Sequence, residues 1–189
     1  MQKLFIKHKI VDYNSLLDMK EDVDGTLVDA EVWSPKGGNK NKQARSTKLK
    51  RFIKPYDYPD ICMQLITLVN KWNPDKLNLE HMVWEFNYLI YTEGDHFKRH
   101  RDRMKQNNRP DRLYSTSTLI SQSADFEGGE LIIYDDDDNP TNTDLQVGET
   151  AFFDSMTPHQ VNPVTKGTRE VLVAWIYKKE DVQKYKNII

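Results

Sequence analysis

The sequence predicts an α+β protein in which helices of the first part buttress a jelly-roll-type barrel or sandwich formed by the second. Three observations carry that prediction. Residues 57–72 place apolar side chains at Ile61, Leu65, Leu68 and Val69, the spacing of an amphipathic helix. From His81 onward the apolar residues fall instead into short aromatic and β-branched runs: "MVWEFNYLIY", "RLYSTSTLIS", "GELIIY", "ETAFFD" and "EVLVAWIY", divided by turn residues. The order is helices first and strands afterwards, which belongs to α+β layouts and jelly rolls rather than to alternating α/β folds.

In chain order, residues 13–23 show helical spacing through Leu16, Leu17 and Met19, and residues 26–33 suit a short strand. "SPKGGNKNKQARSTK" combines glycine, asparagine and lysine without an apolar period, so a long flexible loop is expected there. The helix over 57–72 follows, then the strands. The closing "KKEDVQKYKNII" is expected to form a terminal helix or to fray, and no internal repeat is visible. A length of 189 residues predicts one domain, divided into a helical buttress over about 1–80 and a β core over about 81–178.

Composition narrows the function classes. Apolar residues make up 38% and charged residues 30%, with a mean hydropathy of -0.76, so a globular protein with a well-solvated surface is expected. The opening "MQKLFIKHKIVDY" has no apolar run of signal-peptide length, and nowhere do 18 apolar residues follow one another; a cytoplasmic protein without a membrane span is the expectation. The single cysteine, Cys62, excludes an intramolecular disulfide or a cysteine-based zinc cluster and reads as helix core. With 27 basic and 29 acidic residues, the net charge of -2 gives the whole chain no bias toward nucleic acid. Locally the balance shifts: residues 34–55 hold eight basic side chains and no acid, whereas Asp135 to Asp138 form an acidic run that reads as a solvated turn without calcium-ligand spacing.

The stretch "YTEGDHFKRHRDRM", residues 91–104, concentrates the chemistry. On a strand, residues two apart share a face, so His100 and Asp102 of "HRD" can present an imidazole and a carboxylate to one point. One further histidine follows in the β half: His159, within "SMTPHQVNPV". Two imidazoles and one carboxylate on a rigid β scaffold form the facial triad that suits Fe(II) and leaves coordination positions open. Ten residues beyond His159, Arg169 opens the last apolar strand, where a buried arginine needs an anionic partner and can grip a carboxylate with two parallel hydrogen bonds. His96, four residues before His100, would share a helical face with it as in zinc sites, but Gly94 and the strand-like "RHRD" argue against a helix.

"YTEGDHFKRHRD", "FEGGELIIY" and "LQVGETAFFDSMTPHQVNPVTKGTREVLVAWIY" together resemble the Fe(II)/2-oxoglutarate dioxygenases of the prolyl 4-hydroxylase-like branch, over roughly residues 82–177. The resemblance implies a double-stranded β-helix core of the cupin-like kind. It implies His100, Asp102 and His159 as catalytic iron ligands and Arg169 as partner of the distal carboxylate of 2-oxoglutarate, with Tyr91 lining the co-substrate pocket. Gly128 and Gly129 would serve a tight turn, and Trp175 a pocket wall. Many members carry a tyrosine before the G-G turn where this chain has Leu119; Ser117 on the same face, or Tyr91, is the candidate substitute. The cofactors implied are Fe(II) and 2-oxoglutarate, with ascorbate as a candidate auxiliary. A peptidyl proline is the first substrate expectation, because the basic 34–55 segment resembles in position the segment that covers peptides in prolyl hydroxylases. Alternatives are a nucleic-acid demethylase using those basic residues, though base-stacking aromatics are absent from them, and a non-catalytic cupin-type binding protein.

Overall fold

The computed structural model describes residues 5–9, 14–15, 28–34, 37–39, 41–52, 59–72, 82–103, 111–122 and 124–178. Its strands are β1 (Ile6–Lys9), β2 (Val28–Asp29), β3 (Val32–Ser34), β4 (Gly37–Asn39), β5 (Arg45–Ser46) and β6 (Lys48–Phe52) in the first part. Helix α1 (Pro59–Trp72) separates these from β7 (Met82–Tyr91), β8 (His96–His100), β9 (Arg112–Leu119), β10 (Phe126–Gly128) and β11 (Leu131–Tyr134). The chain continues through β12 (Pro140–Asn142), β13 (Glu149–Asp154), β14 (His159–Val161), β15 (Val164–Gly167) and β16 (Arg169–Lys178).

Two sheets build the double-stranded β-helix: a seven-stranded sheet in the order β1-β13-β9-β16-β7-β6-β2, and a five-stranded sheet in the order β12-β11-β14-β8-β5. Every pairing is antiparallel. The two-residue side-chain period of the central strand β16 divides the core. Leu172, Ala174 and Ile176 join Trp84, Phe86 and Tyr88 of β7 and the buried Leu65 and Val69 of α1 in one apolar cluster. Val171 joins Leu89 and Tyr91 of β7 and Leu131, Ile133 and Val161 of the smaller sheet in a second cluster, with Val173 packed against it. The first cluster holds the helix to the outer face of the large sheet; the second fills the space between the sheets. Burying an aliphatic side chain such as Leu65 contributes roughly 1.5–3 kcal/mol. A one-residue slip of β16 would exchange its two faces, so these clusters also fix its register.

The first part departs from the sequence expectation. Within residues 34–48, expected as a flexible loop, β4 pairs with β3 and β5 pairs with β8, and β6 starts at the last of these residues and pairs with β7 from Lys48↔Ile90 to Phe52↔Phe86. Arg45, Thr47 and Leu49 are buried while Lys48 is exposed, an alternation that the surrounding lysines and glycines mask in the sequence. The first part thus completes the sheets as well as buttressing them. The helix expected over 57–72 begins at Pro59, a residue suited to a first helical turn, where its missing N–H has no partner to lose. Of the helix expected over 13–23 only Asn14 and Ser15 are described, both helical; the remainder, the Cys62 side chain and residues 179–189 lie outside the described residues. Among the described residues no helix is long and apolar enough to cross a membrane.

Candidate metal centre and anion pocket

Pairing of β14 with β8 sets His159 directly opposite His100, with ring centroids 4.2 Å apart. Asp102 lies two residues beyond the end of β8 rather than within a strand. Its carboxylate nonetheless turns back to the same point: Oδ1 is 3.5 Å from His100 Nε2, and Oδ2 is 3.6 Å from His159 Nε2. One ligand atom from each of the three side chains falls within 4.8 Å of the others.

The imidazoles are oriented through their other nitrogens. His100 Nδ1 lies 2.7 Å from the Lys98 carbonyl oxygen, and His159 Nδ1 lies 2.9 Å from that of Thr157. A carbonyl only accepts, so each Nδ1 is assigned as the donor and each Nε2 keeps its lone pair toward the shared point. Phe97 stacks on His100, and Phe153 meets His159 edge-on. Burial, and then the neighbouring His100, pull the His159 imidazole down to about 4 against the opposing influence of Asp102, so it is neutral at pH 7.

Asp102 is held by contacts the sequence did not reveal. Its Oδ2 accepts hydrogen bonds from Ser115 Oγ at 2.7 Å and from Trp175 Nε1 at 2.9 Å, while Arg112 lies 3.9 Å from Oδ1. Burial by itself would raise this carboxyl; His159, His100 and Arg112 outweigh it and keep it well below the usual carboxylate range. With His159 neutral at pH 7, Arg112 is the permanent cation of that set. Arg112 in turn stacks on Trp175, donates to the Tyr177 hydroxyl at 2.9 Å and faces Glu85 at 3.8 Å. Trp175 is therefore more than the wall expected of it: its indole N–H orients the carboxylate.

Arg169, 3% exposed, begins β16 opposite Tyr91, and its guanidinium carbon is 5.5 Å from the Tyr91 ring centroid. Its Nη1 is buried without a hydrogen-bond partner. Because a buried unpaired guanidinium N–H is costly, the cavity is suited to receive an anion there. Gly129 makes room for this side chain: at φ +69, an added Cβ would stand 2.7 Å from Arg169 Cδ. Gly128 is equally constrained, with the Pro163 carbonyl oxygen 2.4 Å from such a Cβ. The pair thus shapes the anion site as well as the turn.

Tyr91 and Ser117 both line the cavity; Leu119 does not, and is buried in the apolar cluster between the sheets. His96 stays out of the donor set, its nitrogens lying 3.1 and 3.3 Å from the Gly94 and Gln43 carbonyl oxygens. Arg45, counted in the sequence as one of eight basic residues between 34 and 55, is a further buried cation on the cavity, and no pattern in the sequence set it apart from the other seven.

A double-stranded β-helix with two aligned imidazoles, one ionised carboxylate and an unpaired arginine at one end of its interior is a scaffold for a divalent metal and a carboxylate ligand. Comparison with known proteins agrees. Residues 86–177 match the model of the 2OG-Fe(II) oxygenase superfamily. A PKHD-type hydroxylase of Idiomarina loihiensis is 31% identical over 100 residues, covering 52% of this chain and 44% of that protein. One of Picosynechococcus is 35% identical over 86 residues, 46% of this chain and 38% of that protein, so the matched stretch spans less than half the length of either relative. A Pseudomonas putida prolyl-4-hydroxylase superposes with a TM-score of 0.75 at 18% identity, covering 94% of each chain. A Trichoplax adhaerens prolyl hydroxylase, solved with a hypoxia inducible factor peptide fragment, gives 0.71 at 14% identity over 97% of this chain and 87% of that one. Over residues 86–177 the chain thus matches the 2OG-Fe(II) oxygenase superfamily, and its fold is that of the prolyl hydroxylases on which it superposes.

Proposed function

We propose that this protein is an Fe(II)- and 2-oxoglutarate-dependent dioxygenase that hydroxylates a peptidyl proline, working as one domain over residues 1–189. The observation that carries the reading is the convergence of His100, Asp102 and His159 within 4.8 Å inside a cavity that also holds the unpaired Arg169. The donor set fits the metal: two imidazoles whose Nδ1 atoms lie against backbone carbonyls and whose Nε2 atoms face one point, together with one carboxylate held ionised, suit Fe(II). The orphaned Arg169 Nη1 fits a carboxylate ligand. Bound together, Fe(II) and 2-oxoglutarate supply the oxygen chemistry, yielding succinate and carbon dioxide as one oxygen atom enters a substrate C–H bond.

The chain's own residues do the rest. His100, His159 and Asp102 would hold the metal, and Ser115 and Trp175 keep Asp102 from rotating. Arg169 would take the distal carboxylate of 2-oxoglutarate, with the Tyr91 and Ser117 hydroxyls as polar neighbours in place of the absent family tyrosine. Leu131, Val161, Val171 and Val173 line the cavity and exclude water. Ascorbate would serve as an auxiliary reductant, and the cytoplasm as the working compartment. The peptide reading draws support from the Trichoplax neighbour, whose structure includes a peptide fragment.

An anaerobic titration of the protein with Fe(II) and 2-oxoglutarate tests the core of this reading. A visible charge-transfer band should develop, and admission of oxygen should release succinate. A proline-containing peptide should then gain the mass of one oxygen atom. Iron binding without either the band or succinate refutes the oxygenase assignment; succinate without peptide oxidation refutes only the substrate.

A further inference from the structure

Arg45 has no role in the reading above, yet it is one of two arginines buried on the same cavity. It is 6% exposed, its Nε is buried without a hydrogen-bond partner, and its guanidinium carbon lies 4.5 Å from the centroid of the Phe97 ring that stacks on His100. The strand β5 delivers it there, pairing Arg45 with Phe97 of β8 on the smaller sheet, whereas Arg169 arrives on β16 of the larger one. On its N-terminal side lies an exposed turn, Asn41 to Gln43, so Arg45 stands where the barrel rim gives way to the interior. Surface lysines need no explanation, but a guanidinium nine-tenths buried with an unmet donor does.

The charges of the cavity identify the missing partner. Asp102 is the carboxylate among its described lining residues. Fe(II) is a dication and 2-oxoglutarate a dianion, so the two together bring no net charge. Asp102 and Glu85 both face Arg112, at 3.9 and 3.8 Å, and together offset two of the three arginines Arg45, Arg112 and Arg169. With Arg169 taken by the distal carboxylate of 2-oxoglutarate, Arg45 is the buried cation of the cavity left without an ion-pair partner among the described residues, and burying an unbalanced charge is strongly unfavourable. A neutral peptide group would meet its hydrogen bonds but not its charge. A carboxylate meets both, through the paired N–H geometry peculiar to guanidinium.

We propose that Arg45 is a substrate-binding residue that holds a carboxylate of the substrate at the rim of the barrel, so that the enzyme selects acidic substrates. This rests on the oxygenase reading and narrows its substrate to a molecule bearing an anion near the carbon oxidised. The carboxylate can be the free end of a small acid or amino acid, or an acidic side chain beside the target residue in a peptide.

The test is equilibrium binding to the full chain, loaded anaerobically with Fe(II) and 2-oxoglutarate, followed by calorimetry or ligand-observed NMR. N-acetyl-L-proline is compared with N-acetyl-L-prolinamide for the free-carboxylate source, and acetyl-Asp-Pro-amide with acetyl-Asn-Pro-amide for the side-chain source. At least one acid should bind tenfold or more tighter than its neutral partner, and the pair that does so names the source. Arg45→Gln should abolish that preference, and Arg45→Lys, which keeps the charge but not the fork, should restore part of it. Acids that bind no better than their amides overturn the proposal, and the wild-type comparison alone suffices for this even if a variant misfolds. Loss of 2-oxoglutarate binding in Arg45→Gln with the acid preference intact also overturns it, by assigning Arg45 to the co-substrate. Failure of the wild type to bind 2-oxoglutarate overturns the underlying oxygenase reading as well, which keeps the two failures distinct.

Discussion

Replacing Trp175 by Phe removes one donor from the metal-site carboxylate while keeping most of the aromatic surface. In the wild type Asp102 Oδ2 accepts from Trp175 Nε1 at 2.9 Å and from Ser115 Oγ at 2.7 Å, so the variant retains one of two tethers. A hydrogen bond to a charged group contributes about 1.5–3 kcal/mol. Loss of an outer hydrogen bond of this kind costs metal sites typically about 10–100-fold in affinity, or about 1.4–2.7 kcal/mol, and the two routes agree. The expected outcome is therefore a rise in the metal Kd of about 10–100-fold. Titration with Mn(II), a stand-in that does not turn over, read by calorimetry, measures it directly, and thermal unfolding of the metal-free protein controls for packing losses around the Arg112 stack. Ser115→Ala should behave similarly. Because both donors share one oxygen, the double variant should depart from additivity. A folded Trp175→Phe protein whose Mn(II) Kd lies within twofold of wild type would refute the claim that the indole positions the carboxylate.

Three further outcomes follow from the structure. Gly129→Ala forces a Cβ to within 2.7 Å of Arg169 Cδ at a φ of +69; it should destabilise the fold by about 1–3 kcal/mol and weaken 2-oxoglutarate binding far more than Mn(II) binding, as separate titrations would reveal. Leu65→Ala opens a cavity between α1 and the large sheet at a fully buried position; chemical denaturation should register a loss of about 2–5 kcal/mol, with Mn(II) affinity in the folded protein little changed. Tyr177 is pushed up to about 12, first by burial and then by Glu85 against the opposing Arg112. Its unfolded value is near 10, so between pH 10 and 12 the folded state keeps a proton that the unfolded state releases. Stability from this group is complete below pH 10 and declines by roughly 2–3 kcal/mol on approach to pH 12; Tyr177→Phe should flatten that part of a denaturation-versus-pH curve.

The β half was legible because its information is local. Strands β7, β9, β11, β13 and β16 announce themselves as short aromatic and β-branched runs, and His100, Asp102, His159 and Arg169 could be picked out by residue type and order. The grip on Asp102 was not legible, because Ser115 and Trp175 lie 13 and 73 positions away and reach it only once β9 and β16 pair in register. Ser115 resembles any other strand serine until then. The first part misled for a related reason: β5 is only Arg45 and Ser46, and β6 sets the exposed Lys48 beside the buried Leu49, so a pattern of apolar content alone reads them as loop. Arg45 was consequently counted among the basic residues of 34–55 with nothing to mark it as a cavity residue.

By itself the sequence determined the element types of the β core, the register-independent identity of the donor residues and the presence of an arginine poised for an anion, because these depend on side-chain chemistry and short-range periodicity. Tertiary structure alone decided which lone pairs face one another, what holds Asp102 ionised and fixed, and that a second arginine enters the cavity from the opposite sheet. Those properties arise from pairings between strands distant in the chain, where a one-residue change of register would turn each of these side chains to the other face.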